Sequence, residues 1–142
     1  MFDDLYNTDI LALSATLENG ALVSPDGTAR KVSKLCGSWV EVDLNITGGK
    51  VSDYALRVQA CALGQASAAI LKERIIDATL PELIQARDAL RAMLKNGGEP
   101  PTGRFTKLSL LSGVSKYPAR HTSTSLAFVA AVEAFEAAKA AA

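Results

Sequence analysis

Residues 39–60 limit the fold more than any other stretch. Val40, Val42, Leu44 and Ile46 alternate with Trp39, Glu41, Asp43 and Asn45, the two-residue period of a strand with one face in a core and the other in water. Thr47-Gly48-Gly49-Lys50 follows, a tight turn in which the glycines supply positive φ, and residues 51–60 return as a partner strand. Strands joined this tightly run antiparallel. The rest of the chain has to be packed against this hairpin.

The hairpin also gathers the chemistry. Cys36 precedes the outgoing strand and Cys61 follows the returning one, so strand pairing brings both cysteines to one end of the sheet. From Ala60 to Leu71 the chain passes from extended to helical, with Cys61 expected in the first turn. Unpaired backbone N–H groups and the positive end of the helix dipole favour a thiolate there, the form that binds metals and attacks electrophiles. Ala62, Gly64, Ala66, Ser67, Ala68 and Ala69 are small enough for another backbone to approach this helix closely. Three readings of the two thiols stay open at this point: core residues, metal ligands or reactive groups. A disulfide between them is not indicated, because nothing marks the chain as secreted.

Around this hairpin the sequence predicts helices and one more strand. Leu5, Tyr6, Ile10, Leu11, Leu13 and Leu17 fall at helical spacing within residues 2–17, in a helix starting near Asp3 or Asp4. Ser24-Pro25-Asp26-Gly27 is a turn, and residues 28–34 read as a short edge strand. The helix from Cys61 to about Asp77 turns Leu63, Ala66, Ile70 and Leu71 inward and Lys72, Glu73 and Arg74 outward. Thr79, Pro81 and Glu82 open the next helix as cap, first-turn proline and capping-box acid. Its buried stripe is Leu83, Ile84, Leu90, Met93 and Leu94, and Asn96-Gly97-Gly98 ends it. After a loop at residues 97–104, Thr106 is expected to cap a short helix carrying Leu108, Leu110 and Leu111. The last helix begins near Arg120 or His121 and runs into the alanine-rich tail. The expected fold is α+β, a small antiparallel three-stranded sheet covered by helices, in a single domain over residues 1–142.

Composition narrows the partners. With 142 residues, 49% hydrophobic and 21% charged, the chain has the size and make-up of one ordinary globular domain. Lys and Arg number 15 and so do Asp and Glu, so no net charge draws the protein to nucleic acid or to an anionic membrane. No apolar run approaches the ~20 residues that cross a bilayer. The acidic start Met1-Phe2-Asp3-Asp4 is unlike a secretory signal, and a cytoplasmic location is expected. Catalysis with Cys61 as nucleophile and His121 as base would need an orienting group and an oxyanion site, which the sequence does not advertise. Gly48-Gly49 serves a hairpin, not a phosphate loop. The reading is of a protein that is not an enzyme.

Several motifs taken together resemble the U-type iron–sulfur cluster scaffolds, the family of IscU, SufU and the N-terminal domain of NifU, with the SufU branch closest. They are Leu5-Tyr6 in the first helix, the Cys36-Gly37 pair, and the turn Gly48-Gly49-Lys50-Val51-Ser52-Asp53-Tyr54-Ala55. They continue with Cys61 followed by Gln65-Ala66-Ser67-Ala68, and with Gly113-Val114 leading to Pro118-Ala119-Arg120. The resemblance implies a site of three cysteines and an aspartate that holds zinc or a transient iron–sulfur cluster. It also implies cysteines that accept sulfur from a cysteine desulfurase. Cys36 and Cys61 match the first two cysteines. The aspartate position is Ser38 and the third-cysteine position is Ser123, so half the set is replaced. His121, the single histidine, is a third candidate ligand beside Cys36 and Cys61, its competing reading being a solvated or capping residue. Glu41 and Asp43 read as a wet sheet face.

The function implied is a diverged assembly scaffold, binding metal or a labile cluster, or accepting sulfur, through two cysteines. A homodimer or another iron–sulfur assembly protein would complete the ligands. The alternative is a metal-free binding or regulatory module of the same machinery, with no cofactor at all.

Overall fold

The computed structural model describes residues 7–141; the expectations at Asp3, Asp4, Leu5 and Tyr6 lie outside them. The hairpin forms where the alternation placed it, as β2 (Trp39–Thr47) and β3 (Lys50–Gln59). Gly48 and Gly49 take φ of +60° and +77°, values that side chains resist. Trp39 pairs with Gln59 at one end and Thr47 with Lys50 at the other, with an irregularity at Asn45/Ile46. β1 (Gly27–Val32) adds antiparallel to the far side of β2, giving the order β1-β2-β3. It stops short of the expected Lys34 because residues 34–36 form the turn into β2.

Val40, Val42, Leu44 and Leu56 are buried on the inner face, against α4 (His121–Ala141). The alanines of α4 let it lie very close to the sheet. A Cβ on Gly27 would fall 2.0 Å from the Ala134 carbonyl oxygen and 2.6 Å from the Ala138 nitrogen. α1 (Thr8–Ser14) ends before Leu17, to which the apolar spacing runs. It is capped by Asn7, whose Oδ1 accepts from Ile10 N–H at 3.0 Å, and it packs on α2 (Ala62–Arg74). α2 is buried on nearly every side, since α1 and α4 both lie against it. Small residues make this packing feasible.

α3 (Leu80–Asn96) has the full capping box between Thr79 and Glu82 and ends at Gly97 with φ +65°. Ala86, not Ile84, joins Leu83, Leu90, Met93 and Leu94 in its buried stripe. The segment Gly103–Lys116 departs from expectation. It is a 3₁₀ helix capped at Thr102, broken at Phe105. Its buried residues are Phe105, Leu108, Leu111 and Val114. They recur every third position, the spacing that a three-residue turn aligns on one side. Phe105 anchors the segment edge-to-face on Phe128, with ring centroids 5.2 Å apart.

The outer face of the sheet is not simply wet. Asp43 is only 3% exposed, because the segment after α1 crosses over it and Arg57 reaches it from β3. Arg57 donates to both Asp43 carboxylate oxygens at 2.8 and 2.9 Å and to Glu41 at 2.8 Å. Leu22 N–H and Thr28 Oγ1 also donate to Asp43, at 3.0 and 2.9 Å. Nearby, the Arg30 guanidinium lies 4.2 Å from the Trp39 ring centroid, a cation–π contact. Among the described residues no helix is long and apolar enough to cross a membrane.

Candidate functional site

The two cysteines flank the same end of the sheet, beyond the Trp39–Gln59 pair. Cys36 sits in the β1–β2 turn, which is closed by Gly37 N–H to the Ser33 carbonyl and Ser33 N–H to the Ser38 carbonyl, both 2.8 Å. Gly37 takes φ +73° there. The turn folds two buried hydroxyls against one exposed sulfur: Sγ lies 3.1 Å from Ser38 Oγ and 3.5 Å from Ser33 Oγ. Hydrogen bonding to Ser38, then to Ser33, then to the Ser38 backbone brings the thiol down to about 7, and the positive Arg120 adds to this against a small burial penalty. Hydroxyl donors solvate the thiolate more than the thiol.

This cradle has a direct consequence in the metal-free protein. Alkylation of Cys36, followed against pH in a Cys61→Ala background, is expected to show its midpoint near 7. Ser38→Ala should move the midpoint upward toward the ordinary thiol range, about 8.5. An unchanged profile in Ser38→Ala would remove the hydroxyl from the account.

Cys61 stands one residue outside the expected first turn, as the N-cap of α2, and its side chain makes no capping hydrogen bond. Its Sγ lies 3.8 Å from Ser123 Oγ. Ser123, on the first turn of α4, is 1% exposed and also donates to the Arg120 carbonyl at 3.2 Å. Gly64 permits this approach of two helix starts. A Cβ there would come within 2.8 Å of the Ala60 Cβ and 3.1 Å of the Ser123 carbonyl oxygen.

Both thiols therefore lie at one sheet end, Cys36 against Ser38 and Ser33 and Cys61 against Ser123, with Arg120 close enough to act on Cys36 and bonded through its carbonyl to Ser123. His121 is engaged differently. Its Nε2 faces the Val114 and Ser115 carbonyls at 3.0 and 3.2 Å, so that nitrogen carries the proton and donates. Among the described residues, no group of three or more His, Cys, Asp and Glu side chains is placed to hold a metal ion. Ser33 and Arg120 were not singled out from the sequence as site residues. Ser33 became relevant only once the turn closed, whereas Arg120 already stood in the Pro-x-Arg motif.

A family model described as the NifU-like N terminal domain matches residues 6–124. The chain belongs to that family. The family's assembly scaffolds are visible among its relatives. The iron–sulfur cluster assembly scaffold protein IscU of Thermotoga maritima is 29% identical over 85 residues, 60% of this chain and 59% of that protein. That of Streptococcus pyogenes serotype M1 is 25% identical over 101 residues, 71% of this chain and 64% of that protein. In both, the match spans less than two thirds of the relative's length.

Solved structures carry the likeness further. A nitrogen-fixing NifU-like protein (N-terminal) from Brucella abortus superposes with a TM-score of 0.95 at 44% identity, covering 99% of each chain. A structure assigned to the SUF system as a cluster assembly scaffold, from Fervidobacterium islandicum, shares the fold with a TM-score of 0.84 at 22% identity, covering 94% of this chain and 98% of that one. The α+β architecture with its three-stranded antiparallel sheet is thus the family's fold. As donors, however, the groups at this sheet end are two thiols and three neutral hydroxyls. A hydroxyl binds zinc or cluster iron far less well than a thiolate.

Proposed function

We propose that this NifU-like domain serves iron–sulfur cluster assembly as a diverged scaffold that takes iron, zinc, a labile cluster or sulfur on Cys36 and Cys61. The observation that carries this reading is the placement of the two thiols at one sheet end, each with serine hydroxyls beside it, on the fold of the family's assembly scaffolds. The role is to hold and hand on cargo, not to catalyse, and its partners are a cysteine desulfurase or other assembly proteins. In this reading Cys36 supplies a thiolate near neutrality and Cys61 the second. His121, its Nε2 held by the Val114 and Ser115 carbonyls, contributes only through Nδ1.

The test is anaerobic incubation with ferrous iron and sulfide, then desalting and measurement of iron and sulfide per chain. Wild type is expected to retain both, and Cys61→Ser to lose them. His121→Ala is expected to retain them; a loss equal to that of Cys61→Ser would make the histidine a ligand. Wild-type protein that holds no metal under these conditions would leave a metal-free docking module instead.

A further inference from the structure

Both β1 and α3 pack on α4, and between them α4 forms the floor of a trough of about 620 Å³. Its walls are Lys31 and Val32 of the edge strand β1 and Arg91 and Lys95 of α3, and Leu94, Leu126 and Val129 lie between them. Val32 is 51% exposed and Val129 half-buried, so the trough offers apolar surface to solvent. Lys31 is committed to Glu133 of α4 at 3.0 Å. Arg91 and Lys95 are exposed and, among the described residues, have neither an ion pair nor a hydrogen bond, whereas Arg87 one turn earlier pairs with Asp88 at 2.9 Å. Among the described residues no Asp or Glu lines the trough.

Two polar groups on the floor are already used. Ser125 Oγ is directed at the His121 and Thr122 carbonyls at 3.0 and 3.1 Å, and His121 Nε2 at the Val114 and Ser115 carbonyls. What the trough lacks is an apolar filling with negative charge along one edge. We propose that it is a docking groove for an acidic amphipathic helix of a partner protein. The helix would be apolar on the face that meets Val32, Leu126 and Val129 and would carry carboxylates four residues apart opposite Arg91 and Lys95.

Shape and charge select this occupant. Along α4 the lining runs from His121 to Val129, about 12 Å at the rise of an α-helix. That is the length of two turns of a helix laid in the groove, and apolar anchors one and two turns apart are how such helices are held. Arg91 and Lys95 stand one turn apart on one side of α3, which matches the spacing of carboxylates on a helix lying alongside. The trough is concave, so the flat surface of a bilayer does not reach its floor. A second copy presenting the same patch would set cation against cation. The two cysteines line no part of this groove, so docking here does not depend on what they hold.

The experiment selects binders to the immobilised full chain from a phage-displayed library of helical peptides of about 14 residues, long enough to span the groove, with charged and apolar positions varied. The enriched peptides are expected to carry an apolar stripe edged by Asp or Glu at a four-residue spacing. Made synthetically and labelled with fluorescein, they should bind wild type, more weakly as salt rises. The double variant Arg91→Glu, Lys95→Glu should bind them about tenfold or more weakly. Val32→Glu should also weaken them, and Lys50→Glu, at the other end of the sheet, should not. All four altered side chains are exposed, so each variant should keep the wild-type circular dichroism spectrum. A library that yields no enriched peptide, or peptides that bind the double variant as well as wild type, would overturn the docking of an acidic helix. Two other results would overturn it by assigning the groove elsewhere. Binding only to vesicles of phosphatidylglycerol and phosphatidylcholine, lost in the double variant, would give it to a lipid surface, and a doubled native mass that the double variant abolishes would give it to a second copy.

Discussion

Gly27→Ala is expected to lower the free energy of unfolding by about 3 kcal/mol, the upper part of the range for overpacking a tight core. The added Cβ would lie 2.0 Å from the Ala134 carbonyl oxygen and 2.6 Å from the Ala138 nitrogen, both backbone atoms of α4. A flexible side chain could turn aside, but a helix backbone cannot. Either α4 slides off the inner face of the sheet or β1 bends away from it. Both movements loosen the contacts of Val42 and Leu44, which are fully buried. The measurement is the urea midpoint by circular dichroism, with Gly113→Ala as control. Gly113 has open space where its Cβ would go and ordinary negative φ, so that substitution should stay within about 0.5 kcal/mol. Equal losses at the two positions would mean that the approach of α4 to β1 is not what Gly27 secures.

The reach of the sequence follows from which signals are local. The hairpin was legible because alternation and a Gly-Gly turn are both read within one stretch, and the capping box of α3 for the same reason. Their product, two cysteines at one sheet end, followed from strand pairing alone. The 3₁₀ segment was obscured by Leu110, which with Leu108 and Leu111 imitates an α-helical stripe. The actual period of three is set by Phe105 and Val114, which sit outside that window. At the site, Ser38 and Ser123 were reached only through the family resemblance. The Ser33 hydroxyl in the Cys36 cradle depends on a turn closed by Gly37, and no spacing rule announces it. Asp43 was misread as wet for a related reason. Its partner Arg57 is on another strand, and the chain that covers it around Leu22 has no periodicity to read.

That buried carboxylate leads to the second large effect. Arg57→Ala should destabilise the domain by about 3 kcal/mol near neutral pH, the lower end for breaking a buried pair because Arg57 itself is partly exposed. The side chain of Asp43 is 4% exposed and that of Arg57 is 23% exposed. Removing the guanidinium leaves Asp43, among the described residues, with the Leu22 N–H and the Thr28 hydroxyl. It also frees Glu41 and the Gly20 carbonyl, which accepts from Arg57 at 2.8 Å. The pH dependence separates charge from lost packing. Hydrogen bonding from Arg57, the largest influence, holds the Asp43 carboxyl below its ordinary value against the opposing effect of burial. A folded-state pKa below the unfolded one stabilises above the unfolded value, about 3.9, and that stabilisation is lost as pH falls through the folded value. In Arg57→Ala the carboxylate keeps its burial without its main partner, so protonation relieves it. The stability gap between wild type and variant should therefore narrow as the pH is lowered from 7 to 3. A gap constant over that range would assign the loss to the arginine's packing against the covering segment and not to its charge.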